Sequence, residues 1–124
     1  MSILWLLRKL WTWLLEAGRV HEPERRGLAL LREWLSPEQR EQFDTRGYFD
    51  VIGSHTGRRY RIRRGTATNV YELNEFDRPL TGRCFMPRDG LPAGDVMLVQ
   101  KIALENDEQS ALMVAKTFQP RWKV

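Results

Sequence analysis

The sequence predicts a small α+β domain preceded by an apolar, amphipathic helix. Residues near the N-terminus repeat apolar side chains at helical spacing, the middle of the chain alternates apolar and polar residues at the period of a strand, and a second apolar helical stretch follows. A chain of 124 residues is long enough for one domain with a core and too short for two. We therefore expect a docking helix over 1–18, a linker over 19–27 and one domain over 28–124.

The N-terminal helix is expected to end at Gly18, since glycine accepts the left-handed conformation that ends many helices. At 100° per residue its apolar side chains cover an arc of roughly 200°. Arg8, Lys9, Thr12 and Glu16 lie on the opposite, polar side, where Trp5 also falls. The apolar arc is a predicted docking surface made of Ile3, Leu4, Leu6, Leu7, Leu10, Trp11, Trp13, Leu14 and Leu15.

Three partners for this docking surface are compatible with the sequence. A bilayer span needs about 20 apolar residues, and this segment is shorter and contains two basic residues. It also lacks the leading positive charge and the cleavage site of a signal peptide. Tryptophans with basic residues opposite are typical of a helix in the lipid headgroup region. A groove on a partner protein and the chain's own domain are the other two alternatives.

Two further helices are predicted before the strands. The first has Pro23 in its first turn, a position that proline favours. Its apolar stripe consists of Leu28, Leu31, Trp34 and Leu35. The second begins with a capping box between Ser36 and Gln39, with Pro37 at its first position, and is expected to end by Gly47.

The region after these helices predicts an antiparallel meander of four strands. Apolar and polar residues alternate there, and the intervening segments GSHTG and NEFDRP are rich in turn-forming residues. The strands are predicted over 48–52, 58–64, 69–73 and 81–86. Phe49, Val51, Tyr60 and Ile62 are expected to face one core.

A C-terminal helix is predicted to cover this sheet. Asp95 can cap its start, and Asn106 can restart or continue it as far as Phe118. The side chains expected to cover the sheet are Leu98, Val99, Ile102, Leu112, Val114 and Ala115.

The second predicted strand is unusually rich in arginine. Residues 48–94 contain eight basic and five acidic residues, a net charge of +3 within the +4 of the whole chain. No acidic residue lies between Asp50 and Glu72, so the repulsion along the strand must be relieved across the sheet or by an external anion. One alternative is a solvated strand face with cross-strand acidic partners. The other is contact with nucleic acid or another polyanion through Arg58, Arg59, Arg61, Arg63 and Arg64.

No pattern for catalysis or metal binding accompanies these features. Cys84 is the only cysteine, so an internal disulfide is excluded, and with His21 and His55 it does not form a zinc pattern. Asp107 and Glu108 are expected on a helix surface, and no glycine loop of the phosphate-binding kind is present. We therefore predict no catalytic residue, no metal, no cofactor and no small-molecule substrate.

The segments SPEQREQF, GYFDVIGS, YRIRRG, NVYEL, CFMPRDGLP and DVMLVQKIALE resemble a family of short, uncharacterised bacterial proteins. The resemblance covers residues 36–118, about two thirds of the chain, and leaves out the N-terminal helix. It implies a shared fold without a mechanism. The order of elements also looks faintly like SWIM zinc domains, which bind nucleic acid or protein. Their CxC and CxH zinc ligands are missing from this sequence, so zinc is not implied.

Taken together, these features predict a non-enzymatic accessory or interaction protein of the cytoplasm. It would be a subunit of a larger assembly, docked through the N-terminal helix, with the inner face of a membrane as one place for that assembly. The alternative function is a nucleic-acid-binding module that contacts phosphates through the arginine-rich strand.

Overall fold

The structure, a computed structural model, describes residues 3–20, 22–85, 90–118 and 120, without the side chains of 13–20. Over these residues the chain is an α+β protein whose five strands form one antiparallel sheet in the order β1-β2-β3-β4-β5. The elements in chain order are α1 Ile3–Val20, α2 Glu22–Trp34, α3 Pro37–Arg46, β1 Tyr48–Ile52, β2 Arg59–Arg63, β3 Val70–Leu73, β4 Pro79–Cys84, α4 Ala93–Val114 and β5 Lys116–Phe118. The predicted fold class is confirmed, and the predicted number of strands is one too low.

The boundary between α1 and α2 differs from the expectation. α1 continues through Gly18 to Val20, because a glycine inside a helix costs only about 1 kcal/mol. α2 already begins at Glu22, which pairs with Arg25 and Arg26 one turn later. Helix therefore occupies most of the segment that was expected to be a linker.

The boundaries of α3 agree with the sequence prediction. The Ser36 hydroxyl accepts a hydrogen bond from the backbone N–H of Gln39 at 3.2 Å, and the Gln39 side chain accepts one from the Ser36 N–H at 3.0 Å. Gly47 ends the helix in the left-handed region at φ 75°.

The core lies between one face of the sheet and the helices α2 and α4. The strand residues predicted to face it, Phe49, Val51, Tyr60 and Ile62, are at most 1% exposed. α2 and α4 cross with their backbones in contact, since a Cβ on Gly94 would lie 2.2 Å from the carbonyl of Gly27. The absence of side chains at these two glycines thus allows the two helices to pack closely against each other.

α4 differs from the predicted C-terminal helix in its N-cap residue, in a kink and in which side chains it buries. Pro92 occupies the N-cap position, and Asp95 lies in the first turn without capping it. The helix is kinked at Asp107, where φ is −150° and ψ is 58°, one residue after the predicted restart. Leu98 is buried as expected, but the exposed side chains of α4 include Val99, Ile102 and Val114.

The segment Lys116–Phe118 forms the fifth strand instead of the end of a helix. It pairs with β4, and the ring of Phe118 packs edge-on against Tyr71, with ring centroids 5.6 Å apart. This packing requires Gly82, because a Cβ there would lie 2.2 Å from the Phe118 ring. A three-residue strand of this kind depends on its neighbours, so its own sequence gives little sign of it.

Candidate functional site

The predicted docking surface of α1 is exposed wherever its side chains are described. Ile3, Leu4, Leu6, Leu7, Leu10 and Trp11 are between 54% and 73% exposed. Trp13, Leu14 and Leu15 lie in the same helix, but their side chains are outside the part of the chain that the structure describes. The side chains of residues 3–12 are therefore not covered by the chain's own domain.

The polar side of α1 is basic over its first three turns. Residues 3–12 include Arg8 and Lys9 and no acidic residue. The Lys9 ammonium lies 5.4 Å from the centre of the Trp5 ring, which is 48% exposed. Thr12 donates its hydroxyl hydrogen to the Arg8 carbonyl at 2.9 Å, which leaves little polarity on this side other than the two cations.

Within the described residues, no helix has the length and apolar character needed to span a bilayer.

Arg61, at the centre of the arginine-rich strand, is buried in an ion pair. Its Nε and Nη2 atoms donate to the two Asp50 carboxylate oxygens at 2.8 and 3.0 Å. Its guanidinium also lies over the ring of Tyr48, 4.0 Å from the ring centre. Since the residue is only 7% exposed, its charge is neutralised inside the fold by a bidentate partner on the neighbouring strand.

The flanking arginines also contact groups of the same chain. Arg59 forms an ion pair with Asp77, and Arg58 donates to the Glu72 carboxylate at 2.8 Å. Arg64 lies over the ring of Phe43 at 6.0 Å, and Arg63 is opposite Tyr48 in the β1–β2 register and half-buried. Acidic partners are therefore present for three of the five arginines: Asp50 and Glu72 lie on neighbouring strands, and Asp77 lies in the turn between β3 and β4.

A polar depression lies between α3 and the outer face of β1 and β2. Its described lining contains three arginines and four acidic residues, which gives a formal charge of −1. The charged lining residues are Glu38, Glu41, Arg46, Asp50, Arg59, Arg61 and Asp77. This mixture of charges is a poor complement to a phosphate backbone, which attracts a surplus of cations.

α3 covers the open edge of the sheet at β1, which the sequence analysis did not predict. The Gln42 side chain accepts from the Asp50 backbone N–H at 3.0 Å and donates to the Asp50 carboxylate at 3.2 Å. Gln39 donates to the Asp50 carbonyl at 2.9 Å. The i, i+3 spacing of Gln39 and Gln42, which places both on one side of α3, was the only signal in the sequence for this contact. Their hydrogen bonds occupy backbone groups of β1 that an edge strand would otherwise present to another chain.

Glu108 was expected on a helix surface and is instead fully buried. It follows the kink in α4, and its carboxylate accepts hydrogen bonds from the backbone N–H groups of His55 and Thr56, from the Thr56 hydroxyl and from the Tyr60 hydroxyl, at 2.6 to 2.9 Å. Burial alone would raise the pKa of Glu108, but these four bonds outweigh it and lower the pKa from 4.5 to about 2. Glu108 therefore joins α4 to the β1–β2 turn.

The remaining candidates for chemistry lie apart. Cys84 is partly exposed on β4, and His55 contributes its backbone to the Glu108 contacts. His21 lies outside the described residues. Among the residues that the structure describes, no group of three His, Cys, Asp or Glu side chains could hold a metal ion.

The geometry defines a class of protein: a five-stranded antiparallel sheet backed by two helices, with a third helix at its β1 edge and an exposed apolar helix before the domain. No family model, curated protein or solved structure matches the chain. The resemblance of residues 36–118 to a family of short bacterial proteins therefore stays a prediction.

Proposed function

We propose that the protein is a non-enzymatic accessory protein of the cytoplasm, which α1 attaches to a larger assembly. The single observation that supports this most is the exposure of every described apolar side chain of α1. Exposed apolar surface of this extent is typical of interaction sites, since monomeric proteins rarely leave it uncovered.

The apolar surface that α1 could bury is of the size expected for weak, reversible attachment. Completing the burial of a Leu or Trp side chain that is more than half exposed contributes about 1–2 kcal/mol. Six such side chains are described on the docking surface, so the gross gain is about 6–12 kcal/mol. After the cost of association, a gain of this order fits reversible attachment of a subunit.

The core of the domain supports the same proposal, because it is formed without the described side chains of α1. The buried cluster draws on α2, α3, the sheet and α4, and includes Leu31, Phe43, Phe49, Ile62 and Leu104. Among its described side chains, α1 contributes none to this cluster. The described part of α1 therefore does not contribute to the core of the domain, and its apolar surface is available to another molecule.

The alternative function, contact with nucleic acid through the arginine-rich strand, has less support. Arg58, Arg59 and Arg61 have acidic partners within the chain, and a phosphate would have to compete with carboxylates already in place. We retain it as the contrasting hypothesis for the experiments below.

The proposal is tested in full-length protein at native expression level in cells of the source organism. Leu7→Glu with Leu10→Glu introduces two carboxylates into the docking surface, and Leu30→Glu with Trp34→Glu introduces two at exposed apolar positions of α2. We expect wild type and the α2 variant to sediment with larger species, and the docking-surface variant to remain a free monomer. Identical sedimentation of all three proteins would contradict the proposal.

A further inference from the structure

We infer that the partner of α1 is the surface of a bilayer containing anionic lipid, on which the helix lies parallel to the membrane plane. This inference rests on the proposed function and names the partner of the same surface. Charge, the width of the apolar arc and the exposed indole ring of Trp11 favour a lipid surface over a protein groove.

The charges of α1 complement an anionic surface, since its sequence contains Arg8, Lys9 and Arg19 and one acidic residue, Glu16. Arg8 and Lys9 are both exposed, and residues 3–12 include no acidic side chain. At 100° per residue the two cations are about 100° apart, at the two borders between the polar side and the apolar arc. In a helix lying flat on a bilayer, long basic side chains at these borders reach upward to lipid phosphates while their methylene groups remain in the apolar layer.

The width of the apolar arc fits partial immersion in a bilayer. An arc of roughly 200° is wider than the stripe of about 100° by which a helix usually packs on one protein surface. Interfacial helices sink about 5–10 Å into the headgroup and acyl boundary, and a helix with its side chains is about 10–12 Å across. Immersion by about half the diameter covers an arc of this width, whereas a protein groove would have to enclose more than half of the helix.

The described indole ring of the apolar arc is available to the headgroup region. Trp11 lies in this arc and is 65% exposed. Trp5 lies opposite the middle of the arc, next to the Lys9 ammonium, and points away from the bilayer. Tryptophan is enriched at this depth because it combines an apolar ring with a hydrogen-bond donor.

The test is sedimentation of purified full-length protein with vesicles of phosphatidylcholine, with and without phosphatidylglycerol. Arg8→Gln with Lys9→Gln removes the two cations of residues 3–12. Arg25→Gln with Arg26→Gln makes the same charge change on α2, where both side chains are more than three quarters exposed. We expect the first pair to weaken binding to phosphatidylglycerol vesicles about 30-fold, and the second by less than about threefold.

Each other result has a distinct meaning. Equal affinity for both kinds of vesicle, or equal losses in both pairs of variants, would overturn the assignment to an anionic surface. If the wild type ignores all vesicles while Leu7→Glu with Leu10→Glu still releases the chain from larger species in cells, the partner is a protein groove. In that case the lipid inference fails and the proposed function stands.

Discussion

The N-terminal helix and the arginine-rich strand both contain side chains that need a partner, apolar in the helix and charged in the strand. The strand finds its partners within the fold, and the described part of the helix does not. In the strand, Asp50, Asp77 and Glu72 come from neighbouring segments and contact the arginines. In the helix, the described apolar side chains contact nothing that buries them. The contrast shows that a local pattern identifies groups that need a partner, whereas the tertiary structure decides whether that partner is internal.

The first prediction concerns the internal partner of the strand and has the largest expected effect. Asp50→Ala leaves the Arg61 guanidinium buried without its carboxylate, which should lower the free energy of unfolding by about 3–5 kcal/mol. Asp77→Ala removes the exposed partner of Arg59 and should cost less than about 1 kcal/mol. Denaturant unfolding measures both. Equal small losses would mean that Arg61 is not neutralised inside the fold, and the strand would again be a candidate for binding polyanions.

A second prediction uses pH to test the internal contacts of the domain. The pKa of Glu108 is about 2 in the folded protein, below its ordinary value of 4.5, so the carboxylate stabilises the fold fully above 4.5 and loses this contribution as the pH falls towards 2. The free energy of unfolding should decrease by about 3 kcal/mol over that interval from this group alone.

Glu108→Gln supplies the control for the pH experiment. The variant should be less stable at neutral pH and should lack this part of the acid dependence, because its amide does not titrate. Parallel pH curves for wild type and variant, measured by denaturant unfolding, would show that Glu108 is not held by the β1–β2 turn.

The third prediction is that α1 contributes little to the stability of the domain. Leu7→Glu with Leu10→Glu should change the free energy of unfolding of the full-length protein by less than about 0.5 kcal/mol, the range usual for exposed positions. Calorimetry or denaturant unfolding provides the measurement. A loss of 2 kcal/mol or more, the order expected for core side chains, would place α1 against the domain and remove the contrast between the two regions.

The smallest expected effect is on binding to nucleic acid. Five phosphate contacts would give a slope of about −4.5 in a plot of log affinity against log salt concentration. We expect binding to be weak and equal in wild type and in Arg58→Ala with Arg59→Ala, which removes the basic members of two ion pairs. Mobility shifts at several salt concentrations are the measurement, and steep salt dependence lost in the double variant would make the strand a binding surface after all.

Much of the fold could be predicted from local signals. The capping box at Ser36 and Gln39 and the glycine at 47 bound α3 as expected, because their hydrogen bonds and left-handed turn join residues close in sequence. Alternation along the strands also predicted correctly that Phe49 and Tyr60 face the core. The apolar arc of α1 could also be predicted from the sequence, since it depends only on the spacing of residues along a helix.

Other features depend on residues distant in the chain. Phe118 forms a strand because Gly82 leaves room for its ring, and Glu108 is buried because the β1–β2 turn surrounds it with donors. The helix period alone misplaced Val99 and Ile102, since the crossing of α2 and α4 at two glycines determines which side of α4 meets the sheet. None of these contacts follows from spacing within one segment.

By itself, the sequence determined the four helices and four of the five described strands, and which groups in them require partners, since propensity, capping and periodicity act over a few residues. Only the tertiary structure decided that Arg59 and Arg61 of β2 meet carboxylates within the chain while the described apolar arc of α1 remains exposed. The physical reason is distance: the carboxylates lie on adjacent strands and turns of one sheet, whereas α1 precedes the domain and none of its described side chains is covered by the core.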